Sequence, residues 1–112
     1  MKVTIRSFGW KFGEYGSGAI IDARVLTDPS KNKALRMLDG THPQLQARIV
    51  ENPMAETLIS QAWAVYDAAL EDGEKEVEVC FGCQFGKHRS VALAEVFASE
   101  ILALECGDTV DI

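Results

Sequence analysis

Apolar residues recur along this chain at two spacings, and the change from one to the other marks its elements. Residues 2–9, KVTIRSFG, alternate Val3, Ile5 and Ser7 with Lys2, Thr4 and Arg6, the period of a strand. AIIDARVL, residues 19–26, opens apolar and β-branched and reads as a second strand; VEVCFG, residues 77–82, sets Val77, Val79 and Phe81 on one face of a third. From Pro53 to Leu70 the spacing lengthens. Leu58, Ile59, Ala62, Val65, Tyr66 and Ala69 recur every three or four residues, as an amphipathic helix requires. Val91, Ala94, Phe97, Ala98, Ile101 and Leu102 form a similar stripe in SVALAEVFASEILALE.

Breakers separate these runs. WKFGEYGSG, residues 10–18, is glycine-rich and reads as a loop, and Asp28-Pro29 marks a turn. ALRMLDG is one helical turn or irregular, and a short helix opens near Thr41 with Pro43 in its first turn. The closing GDTVDI is an edge strand or a loose terminus. The order strand–strand–helices–strand–helix predicts a single α/β domain over residues 1–112. Its expected core is a mixed sheet of about four strands packed by helices, with the third strand, a loop and the last helix as the best-supported unit.

Composition narrows the class. At 112 residues, 47% hydrophobic and 25% charged, the chain suits one ordinary globular domain. No apolar run is long enough to span a bilayer, so no membrane partner is expected and a cytoplasmic protein is. Cys80 and Cys83 have CxxC spacing with no second pair, which argues against zinc, and Cys80 reads as a small buried strand residue; no metal or cofactor is called for.

Charge is unevenly spread. Residues 1–50 carry eight Lys/Arg against four Asp/Glu; residues 51–112 carry three against thirteen. Apart from Lys75, the cations of the second half are Lys87 and Arg89, inside CFGCQFGKHRS at 80–90. A net charge of −6 disfavours nucleic acid held through its phosphates; a local basic pocket in an acidic protein suits a small anion.

The loop within that stretch carries the chemistry. A strand–loop–helix connection presents unpaired backbone N–H groups at the positive end of a helix dipole. Gly82 and Gly86 allow the tight curvature that turns amides inward, Arg89 offers a two-pronged contact to oxyanion oxygens, and Ser90 can cap the helix or donate. Lys87 and His88 add charge, and Cys83, Gln84 and Phe85 complete the candidate phosphate-binding residues. Trp10 or Phe12, beside Lys11 in the glycine-rich loop, is a candidate to line the same pocket. Asp22 and Arg24 share one strand face, where they pair with each other or Arg24 faces the anion, the second being preferred. His42 reads as a surface loop residue and Trp63 as core or interface.

CQFGKHRS also fits Cys-x-x-Gly-x-x-Arg-Ser, which resembles the signature of cysteine-dependent phosphatases. In that chemistry Cys83 attacks phosphorus, Arg89 holds the equatorial oxygens and an aspartate, for which Asp28 is available, protonates the leaving group.

A second resemblance covers more of the chain. SFGWKFG (7–13), DARVLTDP (22–29), LRMLDG (35–40) and GCQFGKHRSVALAE (82–95) are similar, in order, to the SFGFKYG, DxRFLPNP, LRPLTG and GCTGGKHRSVxIAE segments of the C-terminal domain of the RapZ (YvcJ) RNase adapter family. That resemblance implies binding of a sugar phosphate, glucosamine-6-phosphate, together with small-RNA binding and self-association into a homo-oligomer. By motif position it implies a pocket of Cys83, Gln84, Gly86, His88 and Arg89, with Asp22, Arg24 and the Lys11 loop close by. The acidic ECGDTVDI ending and the overall charge argue against the RNA part.

Overall fold

A computed structural model describes residues 1–13, 18–29 and 32–104, and the backbone of 109–111. Four strands form one sheet: β1 (Lys2–Gly9), β2 (Ala19–Asp22), β3 (Glu76–Cys83) and β4 (Thr109–Asp111). Four helices accompany them: α1 (Lys33–Arg36), α2 (Pro43–Val50), α3 (Pro53–Glu71) and α4 (Arg89–Ala103). Each predicted periodic run became an element of the expected type. The second strand is shorter than expected, because Asp22 accepts a hydrogen bond from the Arg24 amide and turns residues 23–25 into a 3-10 turn. GDTVDI supplies the edge strand β4.

The α/β class holds, but the sheet is parallel throughout rather than mixed. Strand order is β2-β3-β1-β4, and every neighbouring pair runs in the same direction. Helical crossovers from β2 to β3 and from β3 to β4 return the chain to the starting edge, which is what parallel pairing needs.

One face of the sheet holds the core. Val3 and Ile5 of β1, Ile21 of β2, and Val79 and Phe81 of β3 are buried against Leu45 and Ile49 of α2, Leu58 and Ala62 of α3, and Leu93, Phe97 and Ile101 of α4. Phe97 stands edge-on to both Phe81 and Trp63 at centroid distances of 6.0 and 5.3 Å, so Trp63 belongs to the core margin. Its indole N–H donates to Glu100 at 2.9 Å, which satisfies the ring's one polar atom.

The parallel register has a direct consequence for function. Gly9 lies opposite Cys83 and Asp22 opposite Gly82, so β1, β2 and β3 end together at one edge. Three connections therefore converge there: the 3-10 turn at Trp10–Phe12, the 3-10 turn at Ala23–Val25, and residues 84–88. Ligands of open α/β sheets bind outside the carboxyl ends of the strands, where such connections meet.

Candidate functional site

The loop between β3 and α4 is shaped by two glycines acting differently. Gly86 has φ +70°, and a Cβ there would stand 2.6 Å from the Gly9 nitrogen; the loop both takes a left-handed turn and packs backbone to backbone against the end of β1. Gly82 needs no special dihedral. A Cβ on it would lie 2.5 Å from the Phe8 ring and 2.6 Å from Trp10, so this glycine makes room for aromatic packing rather than curvature.

Capping sets α4 apart from the other helices. Asn32, His42 and Asn52 each accept an amide hydrogen at the start of α1, α2 and α3. His42 is thus the cap of α2, through Nδ1 to the Gln44 amide at 3.1 Å. His88, at the start of α4, makes no side-chain cap, and that helix has no acidic residue in its first turn. Among the described residues, no backbone carbonyl receives the N–H of any of residues 84–89. The carbonyls of this loop do work: Gln84 accepts from the Lys11 amide at 3.0 Å and Lys87 from the Gly40 amide at 2.9 Å, tying it to both neighbouring connections.

Cys83 lies at the centre, 2% exposed. The Ser90 amide donates to its sulfur at 3.4 Å, the Ser90 hydroxyl lies 3.2 Å away, and the Gly86 amide also points to it. Burial pushes the thiol up, but the Ser90 hydroxyl, the Ser90 and Gly86 amides and the Arg89 charge together outweigh burial and hold it below the ordinary value of 9.0. Cys80, three residues earlier on the opposite sheet face, behaves in the reverse sense. Burial, then the Glu78 carboxylate 3.3 Å away, pushes it up to about 11. One thiol sits among donors, the other beside an acceptor.

Arg89 is 8% exposed and inward-facing. Its Nη1 donates to the Arg24 carbonyl at 3.2 Å and the Leu26 carbonyl at 3.1 Å, so part of its fork fastens the turn after β2 to the loop. The Arg24 side chain pairs with Asp22, Nε to Oδ1 at 3.0 Å and Nη2 to Oδ2 at 2.9 Å, and stacks over Trp10 with its Cζ 3.8 Å from the ring centroid. The Arg24 hydrogen bond, with the Arg24 and Arg89 charges, holds the Asp22 carboxyl below 3.8 despite some burial. Of the two alternatives for this strand face, pairing is the one seen.

The remaining candidates fall into two groups. Lys11 stands with its ammonium 5.2 Å from the Phe85 centroid and 6.0 Å from that of Phe12, both rings largely exposed beside the loop. Lys87 and His88 turn instead toward the Arg36 carbonyl at the end of α1, at 3.5 and 3.3 Å, so they hold α1 against the loop. Asp28 lines a cavity of about 660 Å³ with Leu26, Leu35, Arg48 and Ile49, and none of residues 82–90 contributes to that lining. Sequence reasoning missed the structural part of Leu26 and Gly40, which act through backbone groups that leave no trace in residue type. Among the described residues, no cluster of metal-binding side chains occurs and no helix is long and apolar enough to cross a membrane.

Comparison with known proteins agrees with the segment resemblances. A family model described as RapZ C-terminal domain matches residues 1–110. A nucleotide-binding protein of Limosilactobacillus fermentum is 30% identical over 104 residues, covering 88% of this chain and 36% of that protein. One of Mycobacterium sp. (strain KMS) is 33% identical over 114 residues, covering 97% and 36%, and one of Desulfitobacterium hafniense is 34% identical over 100 residues, covering 85% and 34%. The chain thus spans about a third of the length of these curated relatives.

Proposed function

Because the chain belongs to the RapZ C-terminal domain family, we propose that it binds a phosphorylated small molecule, with the phosphate received by residues 82–90. The observation that carries this reading is the convergence on Cys83 of the Ser90 and Gly86 donors at the uncapped start of α4. Donors that favour a thiolate favour an oxyanion oxygen for the same reason: partial positive charge from amides and the helix dipole, with the Arg89 guanidinium behind it. Gly82, Cys83, Gln84, Phe85, Gly86, Arg89 and Ser90 form the receiving surface. Lys87 and His88 shape it by holding α1 against the loop, and Lys11 and Arg24 flank it. The family resemblance points to a sugar phosphate as the ligand class and to regulation or adapter action, not turnover, as the use of binding.

Isothermal titration of the full chain with inorganic phosphate and sugar phosphates at low ionic strength tests the proposal. Saturable binding that Arg89→Ala abolishes supports it; no heat from any of these ligands refutes it.

A cysteine phosphatase is the second reading, favoured by the lowered Cys83 thiol. In that reaction the thiolate attacks phosphorus, the P–O bond to the leaving alkoxide breaks, and water later frees phosphate from the phosphocysteine. The departing alkoxide needs a proton, and Asp28 faces the separate cavity instead. Turnover of an aryl phosphate that disappears in Cys83→Ser would establish this reading over the first.

A further inference from the structure

We propose that the cavity bordered by α1, the end of α2 and the start of α3 is a second binding site. Its ligand is a small zwitterion with an aliphatic body, of the class of a free leucine-like amino acid. None of residues 82–90 lines this cavity, so the proposal stands apart from the phosphate reading.

The floor is apolar. Leu26, Leu35 and Ile49 line the cavity and are buried members of the core cluster, so an aliphatic chain placed there extends the core. At about 660 Å³ the space has the size of a small-molecule pocket. Two carboxylates, Asp28 and Glu51, line it against one guanidinium, Arg48. That balance repels a phosphate ester. Among the described residues no aromatic ring lines it, so a nucleobase has nothing to stack on.

The rim offers both signs of charge in one place. Arg48 Nη1 lies 3.5 Å from Glu51 Oε2, with side chains 62% and 67% exposed. So long and exposed a pair is held weakly, and each partner can turn to a better one. Neutral donors stand beside it. Asn32 and Asn52 spend Oδ1 on the Ala34 and Met54 amides, both at 2.9 Å, which holds each side chain in place and leaves its NH2 group to donate.

An α-amino acid carries its two charges on neighbouring atoms, as this rim does. Its carboxylate meets Arg48 and the asparagine donors, its ammonium meets Glu51, and its side chain covers the floor. A simple fatty acid faces two carboxylates and supplies no cation to Glu51. A simple amine supplies no anion to Arg48.

The test is an NMR titration of the isotope-labelled full chain with L-leucine in phosphate-free buffer. Saturable shifts are expected at the Leu26, Leu35 and Ile49 amides and at the Asn32 and Asn52 side-chain NH2 signals. Leucine should bind about tenfold tighter than isocaproate, which lacks the ammonium, or isoamylamine, which lacks the carboxylate; that is the increment of one charge-assisted hydrogen bond. Arg48→Gln and Glu51→Gln change exposed side chains, and their spectra report whether the fold is intact; each should weaken leucine by a similar factor. Equal affinity for leucine and either analogue would overturn the zwitterionic ligand. No shift at the cavity residues up to the solubility of leucine, or unchanged affinity in both variants, would overturn the site.

Discussion

Arg89 Nη1 lies 3.1 Å from the Leu26 carbonyl oxygen, so the guanidinium that opens α4 also fastens the turn following β2. The same nitrogen reaches the Arg24 carbonyl, and the side chain is almost wholly buried. A buried charge is tolerable here because carbonyl dipoles meet it on one side, and a bound oxyanion would meet it on the other.

Arg89→Ala should therefore do more than weaken an anion contact. It strips two carbonyls of a charged donor, at a cost of about 3 kcal/mol. Thermal unfolding should shift down by more than about 10 °C. Arg89→Lys, which keeps the charge but not the fork, should recover part of the stability. A melting temperature equal to wild type in Arg89→Ala would contradict the fastening role.

The two described cysteines should titrate apart. Thiolate absorbance in the ultraviolet should show Cys83 ionising below 9.0 and Cys80 only near 11, with Cys83→Ser removing the first step. The sign for stability follows. A thiol whose folded value is depressed contributes stability that is fully present above its unfolded value, and loses it as pH falls through the folded one. Phosphate at saturation should raise the Cys83 step, since a bound anion opposes a thiolate. An unmoved step would place the anion elsewhere.

Gly86→Ala combines a left-handed φ of +70° with a Cβ 2.6 Å from the Gly9 nitrogen. We expect a loss of about 2 kcal/mol or more by chemical denaturation. Gly73→Ala is the control: the same φ, at the end of α3, with open space around the added carbon. It should cost only the backbone term, about 1 kcal/mol. Equal losses would mean the loop yields where it meets β1.

Asp22→Asn should cost little stability, about 0–1 kcal/mol, because the Asp22–Arg24 pair is nearly half exposed. It should nonetheless tighten phosphate binding severalfold at low salt, since it removes a negative charge acting on Arg89 and releases the Arg24 side chain. The Asp22 carboxyl is held below 3.8, so this difference should stay flat with its ionisation from pH 5 to 8. A weaker affinity would mean the carboxylate serves the site by holding Arg24 in place.

Much of this was legible from residue pattern. Val77, Val79 and Phe81 announced β3, the stripe from Val91 to Leu102 announced α4, and the glycines between them announced the tight strand-to-helix connection. Gly86 was readable as curvature. Gly82 was not readable as space for Phe8 and Trp10, because those rings reach it from another strand. Lys87 and His88 looked like ligand groups by their neighbours in sequence, yet both turn to a carbonyl more than 50 residues away.

The sequence by itself determined the elements and their chemistry, since periodicity, capping residues and loop glycines act over a few neighbouring positions. Strand order and direction were decided only by tertiary packing. Parallel pairing of β1, β2 and β3 brings Gly9, Asp22 and Cys83 to one edge, and that alone sets Arg89 against the Arg24 and Leu26 carbonyls and Lys11 beside Phe85. Hydrogen bonds to main-chain carbonyls depend on where the backbone passes, and residue identity carries no record of that.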